Sequence, residues 1–199
     1  MRLKYGFELA YSAIQADFNS RRRYRQKYHQ DAIEAARLPQ DLVTKIGLQM
    51  LGVIRVMQGL EAAEVPVLPQ VVSRLLRHAY GAEIHWKADI QPGVSLVHGN
   101  GLVISKDASV APGCILSQNV TLGHGVDPIT REVGAPTLGR DVHVGPGATL
   151  LGPISVGEGS KIMAGAVLTH SVPAYSLVRP ADVVITPRKS GTTGAKDPG

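Results

Sequence analysis

Three observations predict a mainly β chain folded as a parallel β-helix behind an N-terminal α-helical cap. An apolar residue returns every six positions at Ile84, Ile90, Leu96, Leu102, Ala108, Cys114, Val120 and Val126, then, after Glu132, at Leu138, Val144, Leu150, Val156, Ile162 and Leu168. Fourteen of these fifteen positions are apolar where a 44% hydrophobic content would supply six or seven, so the repeat is not chance. Glycines recur three residues on, at Gly93, Gly99, Gly123, Gly147, Gly159 and Gly165. The residues before Ala82 lose the sixfold period and read as helices.

A period of six matches neither a 3.6-residue helix nor an alternating strand. It matches a solenoid in which each hexapeptide makes one short strand and one corner, three to a coil, over about four to five coils. The aliphatic residue points into a narrow core and glycine turns the corner without a Cβ clash. Each coil buries its apolar face only against the next. The one polar residue in register, Glu132, falls in 124–136, which reads as a loop.

The elements follow in order. Residues 5–37 are expected to be helical, with Tyr, Ile and Ala among charges, and the basic run Arg21–Lys27 is read as a solvated helix face, since no nucleic-acid motif accompanies it. Pro39 and Asp41 punctuate the chain, and Asp41 is placed to cap a helix over 42–60. That segment is Leu-, Val-, Ile- and Met-rich, but Lys45 and Arg55 make a membrane span costly, so a core-facing or subunit-facing helix is expected. After Pro66 and Pro69, a third helix is expected over 70–80, with Val71, Val72, Leu75, Leu76 and Ala79 on one face and Gly81 ending it. These helices would close the open end of the solenoid and its unpaired strand edges. The expected organisation is a helical region at 1–81, a β-helix at 82–186 with the loop at 124–136, and a Gly/Ser/Thr-rich flexible tail at 187–199.

Composition narrows the compartment and partners. The single cysteine, Cys114, sits in the inward register and is read as a small buried apolar group. With no disulfide possible within the chain and no apolar leader after Met1-Arg2-Leu3-Lys4-Tyr5, a cytoplasmic protein is expected. The net charge of +5 suits an anionic partner.

Two of the seven histidines sit in glycine-flanked segments, Leu96-Val97-His98-Gly99-Asn100-Gly101-Leu102 and Leu122-Gly123-His124-Gly125-Val126-Asp127-Pro128. An imidazole is a competent general base near neutral pH.

From Ala79 to Ile185 the chain resembles hexapeptide-repeat acyltransferases, most of all the shorter serine acetyltransferases. The resemblance rests on Gly81-Ala82-Glu83-Ile84-His85, on His98-Gly99-Asn100-Gly101-Leu102-Val103-Ile104, on Gln118-Asn119-Val120-Thr121-Leu122-Gly123 and on Gly157-Glu158-Gly159-Ser160-Lys161-Ile162. It implies a left-handed β-helix, a homotrimer with sites between protomers, acetyl-CoA as donor and no metal. By the same resemblance His98 is the general base and Glu83 its carboxylate partner, fifteen residues upstream. The loop from Gly123 to Arg131 resembles instead the catalytic-histidine loop of maltose and galactoside acetyltransferases. That implies His124 as a second candidate base, with Asp127 or Arg131 shaping the acceptor site; Asn100, in the His98 segment, is a further candidate for acceptor binding. Gly145-Pro146-Gly147-Ala148 and Ala164-Gly165-Ala166 resemble the small-residue edge along which acetyl-CoA lies, with backbone donors for the pantetheine amides. Lys161, Arg179, Arg188 and Lys189 are the candidates for its phosphates.

The chain departs from serine acetyltransferases where they carry Asp before the histidine and Arg-His before proline: here stand Val97 and Gly134-Ala135-Pro136. Charged contacts to an amino-acid acceptor are thereby lost. The expected acceptor is accordingly a sugar or glycan hydroxyl, with serine the runner-up and a non-catalytic scaffold the lesser alternative. A γ-type carbonic anhydrase is set aside, because no two histidines from His98 onward have that family's five-residue ligand spacing.

Overall fold

The computed structural model describes residues 2–28, 38–127 and 129–181. Among the described residues, four helices precede sixteen short strands: α1 (Arg2–Tyr28), α2 (Leu38–Thr44), α3 (Ile46–Ala62) and α4 (Leu68–Tyr80). The expected continuation of α1 to residue 37, the residues after 181 and most side chains of the basic run lie outside the described residues.

The strands form the parallel β-helix expected from the sixfold period, left-handed as the family resemblance implied. Its first face stacks Glu83–Ile84, Val103–Ile104, Thr121–Gly123, Thr149–Leu151 and Val167–Leu168. The second stacks Asp89–Ile90, Ser109–Val110, Thr137–Leu138 and Ser155–Val156. The third stacks Ser95–Val97, Ile115–Ser117, His143–Val144, Lys161–Ile162 and Leu177–Val178.

The register corrects the simple sixfold count. Ile84 pairs with Ile104 and Leu96 with Leu116, twenty residues apart, whereas Ile104 pairs with Leu122, eighteen apart. The first coil therefore holds two extra residues, and they fall at the corner carrying His98-Gly99-Asn100-Gly101. The slip is invisible in hydropathy because each hexapeptide has two inward positions, two residues apart. Leu102, Ala108, Cys114 and Val120 fill the corner positions, Ile104, Val110, Leu116 and Leu122 the strand positions, and all are buried. Val126, expected in the core, is instead exposed on a hairpin, Gly125–Val126 against Val133–Gly134, that leaves the prism. Gly123 lies in a strand, while Gly93, Gly99, Gly147, Gly159 and Gly165 turn corners with positive φ.

In the helical cap, Asp41 is not an N-cap but lies inside α2, which begins at Leu38 because Pro39 suits a first turn, where its missing N–H costs nothing. The helix breaks at Lys45, extended at φ −117°, and α3 starts afresh. Pro69 likewise lies in the first turn of α4, and Gly81 ends that helix in the left-handed region at φ +62°. Of the face expected to pack, Leu76 is buried and Val72 partly so, while Val71 and Leu75 remain exposed.

Helix α1 turns its small residues inward. A Cβ on Gly6 would collide with the Gly59 carbonyl of α3, and one on Gly59 with that of Gly6. The larger Leu3, Tyr5, Phe7 and Tyr11 stay exposed. The cap is locked to the prism by Asp17 of α1 and Arg55 of α3, 0% and 2% exposed. Arg55 donates to both Asp17 oxygens, at 2.7 and 3.0 Å, and to the carbonyls of Ile90 and Gln91. Asp17 Oδ1 also accepts the Gly93 and Val94 amides at 2.8 and 3.2 Å. No helix among the described residues is long and apolar enough to cross a membrane.

Candidate active site

One edge of the prism, between its third and first faces, gathers the largest group of expected site residues. The backbone bonds running along it are Asn119 N–H to the Asn100 carbonyl (2.8 Å), Gly147 N–H to Gln118 (3.0 Å) and Gly165 N–H to Pro146 (2.9 Å). His98, Asn100, Gly147 and Gly165 thus stand in one column, each coil about 4.8 Å from the next. His98 is exposed and takes φ +68°, on the corner enlarged by two residues. Non-glycine residues rarely occupy that region and are held there only by their surroundings. Helix α3 packs behind this corner, where a Cβ on Gly99 would collide with Met50 Sδ. The backbone N–H groups of Gly99 and Asn100 donate to no acceptor among the described residues.

Further along the column, Gly147 and Gly165 face open space, with nothing within 4 Å of a Cβ built on either. Their neighbours Ala148 and Ala166 are corrected: both are fully buried in the core and line no groove. The amides expected for pantetheine are also engaged, Ala148 N–H with Gly145 and Ala166 N–H with Met163. What the edge offers is bare surface at two glycines. Lys161 is exposed on the adjoining third face and Arg179 just beyond that face's last strand, while Arg188 and Lys189 lie outside the described residues.

Glu83 has another partner than the expected one. Its carboxylate is exposed and pairs with Arg77 of α4 at 3.4 Å, and no hydrogen bond joins it to His98. The cause is local, since Arg77 sits in the last turn of the helix that delivers Glu83 to the first face.

His124 stands on the other edge of the first face, because the twenty-six residues after His98 make one enlarged coil of twenty and one further face of six. There it meets a residue that sequence reading missed: its Nε2 lies 2.5 Å from Asp107 Oδ2. That contact holds the Asp107 carboxyl below its ordinary range. The signal was available, because seventeen residues separate the two and a coil has eighteen. His85 shares this edge, stacked on Trp86 with centroids 3.8 Å apart, and burial first, then Lys106 and Lys87, lower its pKa.

Asp127 serves the loop. Its Oδ1 accepts the Ile129 and Thr130 amides at 2.8 Å each, which keeps its carboxyl below the usual range. It also turns the chain for Arg131, whose N–H returns to the Asp127 carbonyl and whose side chain is exposed. At the two departures from the family pattern, Val97 is half-buried and Ala135 is buried. No cluster of three or more potential metal ligands occurs among the described residues.

Comparison with known proteins places this geometry. Residues 135–170 match the family described as bacterial transferase hexapeptide (six repeats). A serine acetyltransferase of Synechococcus elongatus is 40% identical over 129 residues, 64% of this chain and 52% of that protein, so the chain spans about half of that relative. One of Helicobacter pylori is 35% identical over 130 residues, 65% of this chain and 75% of that protein. In fold, the chain overlays serine acetyltransferase isoform 3 of Entamoeba histolytica, solved with cysteine, at a TM-score of 0.75 and 22% identity, over 94% of this chain and 64% of that one. With three quarters of the Helicobacter protein matched at 35% identity, the chain belongs to the serine acetyltransferase family.

Proposed function

We propose that the chain is an acetyl-CoA-dependent serine O-acetyltransferase working as a trimer. The observation that carries this reading is the shared edge, on which an exposed imidazole at His98 lies in line with the open corners at Gly147 and Gly165. Acetyl-CoA lies along that edge with its thioester at His98 and its phosphates toward Lys161 and Arg179. His98 takes the proton of the acceptor hydroxyl, and the oxygen attacks the thioester carbonyl carbon. The Gly99 and Asn100 amides stabilise the developing oxyanion. Collapse breaks the C–S bond, and the CoA thiolate leaves with the proton returned from His98. No acyl-enzyme forms. Glu83 orients the ring once it exchanges Arg77 for His98.

The relatives favour serine over the sugar hydroxyl expected from the loop. The second reading keeps a specific observation, since Val97, Gly134 and Ala135 leave out the charged contacts to an amino acid. A thiol-release assay with acetyl-CoA over serine, simple sugars and oligosaccharides decides between them. Serine turnover is expected, falling about 10²- to 10⁴-fold in His98→Asn. Asparagine tolerates the left-handed backbone, so this variant keeps the corner. Turnover with sugars alone, or an unchanged His98→Asn variant, would overturn the assignment.

A further inference from the structure

Asp107 and His124 occupy successive coils on the edge between the first and second faces. The ring nitrogen at the carboxylate is Nε2, at 2.5 Å from Oδ2. In the neutral ring the proton resides on the nitrogen that has an acceptor to donate to, so the lone pair is left on Nδ1. The His124 side chain is 36% exposed, so the edge is open at the mouth of the hairpin.

The other charged groups here leave that arrangement intact. Lys106 Nζ is 3.9 Å from the same Oδ2, a longer contact made by a more exposed side chain. His85 is tied into its own coil, its Nδ1 accepting the Lys87 amide at 3.1 Å and its ring stacked on Trp86. Asp127 commits Oδ1 to the hairpin turn. With the ring neutral, the Asp107–His124 pair carries one negative charge. Meanwhile Val97, where the family resemblance would put an aspartate, offers an ammonium no side-chain acceptor.

We propose that Asp107 is a positioning residue that holds His124 with Nδ1 outward, and that this nitrogen accepts a hydrogen bond from the ammonium group of the acceptor. The proposal rests on the transferase reading above and names the residues by which that site recognises an amino alcohol. His98 and His124 stand on the two edges bounding the first face, so the contact is made across a subunit boundary to the protomer whose His98 does the chemistry.

The test compares serine with 3-hydroxypropionate, which lacks the ammonium, in the full chain and in Asp107→Asn, Asp107→Glu and His124→Ala. Loss of one hydrogen bond to a charged group should raise the serine KM about ten- to hundredfold in Asp107→Asn and His124→Ala. The kcat and the acetyl-CoA KM should change little, 3-hydroxypropionate kinetics should not move, and Asp107→Glu should recover part of the loss. Imidazole ¹⁵N shifts should show His124 protonated at Nε2 in the wild type, with that preference lost in Asp107→Asn. An unchanged serine KM, equal losses for both acceptors, or a wild-type ring protonated at Nδ1 would overturn the proposal. A wild type that transfers to no hydroxyl would sink the transferase reading and the recognition role with it. The ¹⁵N measurement would still decide whether Asp107 sets the tautomer.

Discussion

His98 holds φ +68°, and its neighbour Gly99, at φ +72°, lies against Met50. Gly99→Ala should therefore cost about 1–2 kcal/mol from the left-handed backbone alone, with the Met50 collision added. Trimming the collision with Met50→Ala should not recover the backbone part, and turnover should fall as the imidazole moves. Urea titration beside the thiol-release assay measures both. Cys114 behaves as its inward register required: burial pushes the thiol up to about 12 and Sγ donates to the Gly139 carbonyl at 3.0 Å. Unfolded, the thiol ionises near 9.0, so the unfolded state sheds its proton first as pH rises. The stability that this group contributes is whole below that value and is lost as pH climbs from 9.0 toward about 12. Comparing alkaline unfolding of the native chain with Cys114→Ala should show a shallower decline in the variant.

Among the elements, the helical cap is joined to the prism by polar as much as apolar contacts. Arg55 interrupts an apolar helix in the sequence, and the interruption is the fastening, since its guanidinium reaches Asp17 on α1 and two strand-end carbonyls at once. Removing one member leaves the other charge buried and unpaired, so Arg55→Ala should destabilise by about 3–5 kcal/mol. Replacing both, as Asp17→Leu with Arg55→Met, should restore only part of that, because it removes the unpaired charge but leaves the Gly93 and Val94 amides and the Gln91 carbonyl without their side-chain partners. Thermal unfolding of the two variants checks it; equal stability of Arg55→Ala and wild type would show that the pair does not fasten the cap. The helix boundaries were less legible than the helices themselves. Pro39 and Pro69 read as breaks but occupy first turns, where proline is accepted, and the true break at Lys45 has no proline or glycine to announce it.

For the whole molecule, the prism separates the two glycine-flanked histidines onto different edges, and the proposed site that uses both draws His124 from a neighbouring protomer. Co-refolding inactive His98→Asn chains with His124→Ala chains should then regenerate intact sites, about one in four in randomly mixed trimers. Activity at subsaturating serine should rise above that of either variant alone. No recovery, with mixed trimers demonstrated by mass, would place both residues in one subunit's site or separate their roles.

The sequence by itself determined the solenoid, because core filling repeats with the chain's own period and needs only local spacing to be read. It also determined the buried cysteine, the exposed imidazole at His98 and the loop, each a departure or a fixed place in that period. It did not reveal the extra two residues at the His98 corner, since two inward positions per hexapeptide let the apolar pattern slip by two without a polar residue appearing. Side-chain partnership was decided only in three dimensions. Glu83 went to Arg77 in the last turn of the helix before it, and Ala148 and Ala166 went to the core; Asp107 and His124, one coil apart in the sequence, were brought into reach by that spacing, but only the folded side chains close the contact.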